Sequence, residues 1–126
     1  MSALSDLAEQ LREESTPISP HVVDPDPGQA FAPPGDNAPV LEAVREGYLL
    51  HYGQPRLLGG HDRDLALLAG DYLYALGIER LAALGDTAAV HLLADLISTS
   101  AQLHSEGRED QVPAAWTKAI QAIAGT

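Results

Sequence analysis

Histidine and acidic side chains are the residues in this sequence with the types and spacing to hold a metal ion. His91 and Asp95 lie four residues apart, which on one helix places both on the same face. His61, Asp62 and Asp64 form a second group. Neither group repeats the Glu-x-x-His ligand pair of di-iron bundles. We therefore expect no metal site, and we interpret these side chains as solvated groups or helix caps.

Covalent catalysis and nucleotide binding have no support in the sequence either. The chain contains no cysteine, so thiolate chemistry, disulfides and iron–sulfur clusters are excluded. No serine lies in a Gly-x-Ser-x-Gly elbow. Gly59 and Gly60 lack the lysine that completes a phosphate-binding loop. We expect no catalytic residue and no cofactor, and we predict that the protein is not an enzyme.

Composition narrows the class of protein further. The 126 residues allow one domain with a small core, and the formal net charge of −11 argues against nucleic-acid binding. No apolar run approaches the roughly 18 residues that a transmembrane helix needs. The N-terminus lacks the pattern of a secretory signal. We therefore expect a cytoplasmic protein without a transmembrane segment.

The stretch from Asp64 to His104 is the centre of the predicted fold. It reads as two long helices joined by a tight turn at residues 84–86, with Asp62 or Asp64 as the cap of the first helix and Asp86 as the cap of the second. The first helix is apolar on nearly every face, so it needs cover from its own chain or from a partner. Gly70 and Gly77 interrupt it, which indicates close approach of a ligand or close packing of another helix.

The flanking segments give the domain organisation. Residues 1–16 predict an N-terminal helix capped by Ser5, and residues 17–38 a proline-rich extended arm that is either a disordered tether or a surface arm anchored by Phe31. Residues 39–126 predict a helical domain. No alternating strand pattern appears, so the fold class is all-α, a small antiparallel helical bundle with an extended proline-rich N-terminal segment.

Residues 67–97, LLAGDYLYALGIERLAALGDTAAVHLLADLI, resemble the middle region of trans-isoprenyl diphosphate synthases. In that family a helix of the form LAGD(F/Y)LL-A is followed by LA-LG(D/N) and then by a helix rich in V-LLA. The similarity covers about a third of the chain. It implies an all-α fold and, in the family itself, chemistry on allylic diphosphates carried by aspartate-rich motifs, magnesium and a basic loop.

The chain departs from the family at the positions that carry this chemistry. In the same register the basic loop falls on residues 51–56, where the glycine and proline survive but only Arg56 remains of the cations. The first aspartate motif falls on residues 42–46, with Glu42 and Glu46 as its remaining carboxylates, and the second has no counterpart. The three residues form a degenerate head-group site. Losing such groups typically costs orders of magnitude in rate, so the resemblance implies a truncated, non-catalytic relative.

We interpret the chain as a non-catalytic, synthase-like helical protein that acts as an accessory or interaction subunit. The expected partner is another protein subunit, either a prenyl synthase or a larger, membrane-associated complex, or else a second copy of the chain in a homo-oligomer. The alternatives are a residual prenyl diphosphate synthase subunit or prenyl-lipid binder, and an unrelated small helical interaction domain. The predicted partner-binding residues are apolar or aromatic: Phe31, Leu65, Leu68, Tyr72, Leu76 and Trp116.

Overall fold

The computed structural model describes residues 2–124, and every regular element within them is helical. The predicted all-α class is confirmed, with α-helices at α1 (Ala3–Glu13), α2 (Ala38–Tyr52), α3 (Arg63–Ala83), α4 (Thr87–Ser105) and α5 (Val112–Ala124). Over this range β structure is limited to one isolated bridge, between Val22 and Leu58.

Helix α1 packs on α2 and α3 because its leucines recur at helical spacing. Leu4, Leu7 and Leu11 are buried in one apolar cluster with residues of both helices. The prediction that Ser5 caps this helix is wrong. Ser2 is the cap, and its hydroxyl accepts a hydrogen bond from the backbone N–H of Ser5 at 3.1 Å. The N-terminal leucine stripe therefore belongs to the core of the chain.

The proline-rich arm, residues 17–38, runs between α1 and α2 with two short 3₁₀ turns, Ser19–His21 and Pro27–Gln29. Pro20 is the second residue of the first turn and Pro27 is the first residue of the second, positions that suit the fixed backbone angle of proline. The arm is held to the loop that follows α2, where the N–H of Val23 donates to the carbonyl of Leu57 at 2.7 Å. The backbone of this arm thus contacts the rest of the chain at defined points.

Glycines set the close approach of α2 to α3. A Cβ on Gly47 would lie 2.9 Å from the carbonyl oxygen of Gly70, and one on Gly77 would lie 2.5 Å from Cγ2 of Val44. The imidazole of His51 occupies the place that a Cβ on Gly70 would need. Because Gly77 meets Val44 while Gly70 meets Gly47 and His51, the two helices run in opposite directions. These contacts also identify close helix packing as the role of Gly70 and Gly77.

The turn between α3 and α4 forms where the sequence predicts it. Gly85 has a φ of +75°, which favours glycine, and the carboxylate of Asp86 caps α4 by accepting from the N–H of Ala89 at 3.0 Å. Of the two candidate caps for α3, Asp62 is the one used, since it accepts from the N–H of Leu65 at 2.8 Å.

Buried apolar side chains divide into two clusters on the two sides of the α2–α3 pair. One joins α1 to α2 and α3 and continues through Leu57 and Leu58 of the following loop. The other joins α2 and α3 to α4 and α5 around Trp116. Helix α3 is therefore covered mainly by its own chain. Within residues 2–124, no helix is long and apolar enough to cross a bilayer.

Candidate functional site

Helix α2 places Glu42 and Glu46 one turn apart on a buried face, and Arg56 from the next loop reaches both. The guanidinium Nη1 of Arg56 lies 2.7 Å from Oε1 of Glu42, and its Nε lies 3.0 Å from Oε1 of Glu46. The register of the sequence grouped these three residues as a degenerate head-group site. The structure brings them together as one ion-pair network, the Glu42–Glu46–Arg56 network.

Both carboxylates of this network also accept backbone hydrogen bonds from other segments. Glu46 accepts from the N–H groups of Arg56 and Leu57, each at 2.9 Å. Glu42 accepts from the N–H of Phe31 at 2.8 Å and from the next residue at 3.1 Å. The network therefore holds the arm on one side and the α2–α3 loop on the other.

Burial determines what this network can do chemically. Glu42 is 1% exposed, Glu46 is 0% exposed and Arg56 is 8% exposed. Buried charges are tolerated when they are paired and hydrogen-bonded, as these are. Magnesium or a diphosphate at this place would have to displace Arg56 from the carboxylates, so the observed contacts give the three residues a structural role.

Arg45, the residue before Glu46, has a different environment. Its guanidinium carbon lies 4.4 Å from the ring centroid of Phe31, 5.0 Å from that of Trp116 and 5.3 Å from that of Tyr48. These are cation–π distances. Among the described residues, no side chain or carbonyl accepts a hydrogen bond from this guanidinium, and none forms an ion pair with it.

Partial burial without a counter-ion is the main influence on the ionisation of Arg45. Desolvation lowers the pKa of Arg45, while the neighbouring Tyr48 and the carboxylates of Glu42 and Glu46 act in the opposite direction. An arginine nevertheless stays charged at neutral pH because its ordinary pKa is so high. The chain therefore keeps a half-buried cation whose hydrogen-bond donors have no acceptor in the described part of the protein.

A cleft of about 260 Å³ opens beside this guanidinium. We call it the Arg45 cleft. Aromatic and aliphatic side chains from the arm, α2 and α5 form most of its wall, and one carboxylate comes from the turn before α5: Phe31, Arg45, Tyr48, Glu109, Val112, Pro113, Trp116, Thr117 and Ile120. The cleft combines an apolar lining with one positive and one negative side chain.

A tyrosine–histidine contact borders the aromatic cluster. The hydroxyl of Tyr48 lies 2.7 Å from Nε2 of His104, and the ring of Tyr52 stacks on the imidazole with 4.0 Å between centroids. Burial raises the pKa of Tyr48, and the positive charge of Arg45 lowers it. The contact ties α4 to the end of α2 and fixes the ring of Tyr48 in the wall of the cleft.

Sequence reasoning did not find Arg45, Tyr48, His104 or Glu109 as site residues. Arg45 and Tyr48 lie three residues apart on one helix, which is a weak signal by itself. His104 comes from α4 and Glu109 from the segment before α5, so no local spacing links them to α2. Only the packing of distant segments brings them together.

The six predicted partner-binding residues lie in three environments. Phe31 is half-buried and packs edge-to-face on Trp116, with 5.8 Å between ring centroids, and Trp116 is 2% exposed. Leu65, Tyr72 and Leu76 are half-buried against the apolar cluster that joins α1 to α2 and α3. Leu68 is 59% exposed. Phe31 and Trp116 therefore belong to the chain's own aromatic packing, and Leu68 is the most accessible of the six.

Leu67 and Leu68 form the exposed leucine pair of α3. Leu67 is 37% exposed, and both side chains lie on the part of α3 that the rest of the chain leaves open. Asp64 and Asp71 flank the pair at distances of three or four residues, so they lie on the same side of the helix as Leu68. An apolar surface bordered by two exposed carboxylates results.

Two further places, the His91–Asp95 pair and a hollow near the α3–α4 turn, have fewer groups that could bind a ligand. The described residues contain no group of three or more His, Asp or Glu side chains arranged to hold a metal ion, and His91 and Asp95 are exposed. A hollow of about 390 Å³, larger than the Arg45 cleft, lies between the end of the arm and the α3–α4 turn. Its charged side chains are Asp36 and the helix cap Asp86. The hollow exceeds the Arg45 cleft in volume but has no cationic side chain in its wall.

Comparison with protein-family models, with curated proteins and with solved structures gives no match to this chain. The resemblance to trans-isoprenyl diphosphate synthases therefore stays a prediction from the sequence, and the function is argued from the chain's own residues.

Proposed function

We propose that this protein is a non-catalytic helical interaction subunit that docks on another protein through the exposed leucine pair of α3. The observation that carries the proposal is the exposure of Leu68, with Leu67 beside it, on a helix whose other leucines are buried or half-buried: Leu65, Leu73, Leu76 and Leu81. Full burial of a leucine side chain stabilises a complex by about 1.5–3 kcal/mol. A partner that covers both leucines would gain much of that energy.

Charge around the leucine pair favours a different protein over a second copy of this chain. Asp64 and Asp71 border the pair, and the whole chain carries a formal net charge of −11. Two copies meeting through this face would bring like charges together, which costs free energy. The complementary surface is an apolar groove with lysine or arginine at its rim.

The absence of catalysis in the proposal rests on the Glu42–Glu46–Arg56 network. These residues pair with one another and with backbone groups, so they offer no free carboxylates for magnesium and no free cation for a diphosphate. The resemblance to prenyl synthases adds a specific candidate partner, a catalytic prenyl synthase subunit or a larger, membrane-associated complex. In this proposal residues 39–126 act in the cytoplasm as one antiparallel bundle, with residues 17–38 as its arm.

Capture of partners from the source cells, with three versions of the tagged chain, tests the proposal. The wild type and Ala114→Asp should retain the same protein, because Ala114 is exposed on α5, a different helix from the one that carries the leucine pair. Leu68→Asp should lose it, with affinity in a purified titration falling at least about tenfold, as at an interface hot spot.

Equal retention by Leu68→Asp would contradict the proposed surface. A stable homodimer of the purified chain, broken by the same substitution, would replace the heteromeric partner with a second copy. Prenyl chain elongation by the chain alone, in a magnesium-dependent condensation assay with isopentenyl diphosphate, would contradict the absence of catalysis.

A further inference from the structure

Among the buried and half-buried arginines of residues 2–124, Arg45 uses least of its hydrogen-bonding capacity. Three aromatic rings surround it at cation–π distances, and aromatic faces attract a guanidinium without supplying oxygen acceptors for its N–H groups. Within residues 2–124, no oxygen or nitrogen atom accepts a hydrogen bond from it. A guanidinium has five N–H donors in a planar fork that matches a carboxylate.

The shape and charge of the Arg45 cleft restrict the anion that would fit. The cleft measures about 260 Å³, and drug-sized ligands occupy sites of about 300–1,000 Å³, so the ligand is small. Val112, Trp116 and Ile120 give it an apolar wall. Glu109 adds a negative charge, and together with the net charge of −11 it opposes a dianion.

From these observations we propose that the Arg45 cleft binds a small organic monocarboxylate that carries an apolar tail. The carboxylate accepts hydrogen bonds from the free N–H groups of Arg45, and the tail lies against the wall formed by α5. Phe31, Tyr48 and Trp116 hold the guanidinium in place, so little side-chain freedom is lost on binding. The site is separate from the leucine pair of α3, so the proposal does not depend on the proposed partner.

Trp116 gives the experiment a built-in reporter, because it is the only tryptophan in the chain and lines the cleft. Its fluorescence is followed during titration with hexanoate, with hexanamide, which has nearly the same shape but no charge, with acetate, which lacks the tail, and with inorganic phosphate. We expect saturable binding of hexanoate, at least ten times tighter than that of the other three. Equal affinity for hexanoate and hexanamide, or no saturable signal, would overturn the proposal.

Substitutions separate recognition by Arg45 from general loosening of the fold. Arg45→Met should abolish hexanoate binding, and Arg45→Lys should weaken it at least fivefold, since an ammonium does not reproduce the planar fork. Arg63→Met is the matched control, because Arg63 is exposed at the start of α3 and should leave the affinity unchanged.

A substitution that strengthens binding excludes unfolding as an explanation. Glu109→Gln removes the negative charge from the cleft and should tighten hexanoate binding two- to threefold at low salt, with the gain disappearing at high salt. Unchanged affinity in Glu109→Gln, together with an unaltered response of Arg45→Met to hexanoate, would leave Arg45 with only the role of holding Phe31 on the bundle and would end the proposal.

Discussion

Arg45 lies on helix α2 and Arg56 lies in the loop that follows it, and the fold uses the two side chains in opposite ways. Arg56 is buried and forms ion pairs with Glu42 and Glu46. Arg45 is half-buried, packs on three aromatic rings and has no carboxylate partner in the described part of the chain. The comparison teaches that a buried arginine with carboxylate partners fixes chain segments in place. An arginine without such partners keeps its hydrogen-bond donors available for another molecule.

The largest expected effect comes from removing the arginine that has carboxylate partners. Arg56→Met leaves Glu42 and Glu46 buried without their cation, which should lower the free energy of unfolding by about 3–5 kcal/mol. Urea denaturation measures the loss. Arg108→Met is the control, because its ion pair with Glu106 is exposed and exposed pairs contribute about 0–1 kcal/mol. Comparable losses for the two variants would break the comparison.

A smaller effect is expected when one carboxylate of the network is neutralised. Glu42→Gln keeps the shape of the side chain but weakens its bonds to Arg56 and to the backbone of the arm, at a cost of about 1–3 kcal/mol. Hydrogen exchange should accelerate at the amides of Phe31 and Ala32, since both donate to this carboxylate. Unchanged protection at these two amides would show that the arm is held by other contacts.

Substitution of the arginine without carboxylate partners should affect stability little. Arg45→Met retains apolar contact with the rings and loses cation–π attraction of about 0.5–2 kcal/mol, while the partly desolvated charge also disappears. We expect a net change of about 1 kcal/mol or less in urea denaturation. A loss as large as that of Arg56→Met would make Arg45 a structural residue and remove the contrast.

The smallest expected effect concerns the hydrogen bond from Tyr72 to Glu14, whose contribution to stability should depend on pH. Burial, together with the hydrogen bond to Glu14, raises the pKa of Tyr72 to about 12. Because this folded-state pKa lies above the value of about 10 in the unfolded chain, its stabilisation is present below pH 10 and is lost as the pH rises towards 12.

The comparison of Tyr72→Phe with the wild type isolates this contribution. At pH 7 the variant should lose less than about 1 kcal/mol. Between pH 10 and 12 the two unfolding midpoints should converge, and the variant should lack one late step in the ultraviolet titration of tyrosine. A constant difference between the midpoints across this range would show that the hydroxyl keeps its proton.

The helices and their boundaries were largely predictable because they depend on residues close in sequence. Leucine periodicity predicts α1, and the Gly85–Asp86 pair predicts the end of α3 and the start of α4. The one wrong cap, Ser5 in place of Ser2, arose because both serines lie at the start of the same leucine stripe, one on each side of Leu4. The prediction of a serine cap for α1 was therefore correct in residue type and wrong in position by three residues.

The environments of the functional candidates were less predictable. The sequence grouped Glu42, Glu46 and Arg56 but carried no information that they would pair with one another in the interior. It singled out Phe31 as an anchor, and the structure places its ring on Trp116 of the same chain. The contacts that fix these environments join segments that are distant in sequence. The spacing of apolar residues along the chain does not predict such contacts.

By itself, the sequence determined that this chain is all-α, where its α3–α4 turn lies, and that it contains no cysteine and no P-loop motif. These properties follow from composition and from interactions within a few residues. Only the tertiary structure decided which of two neighbouring arginines is neutralised by carboxylates and which is left facing a cleft. The physical reason is that the energy of a charge depends on its burial and on its partners, and both are set by how the arm, the loop after α2 and helix α5 pack around α2.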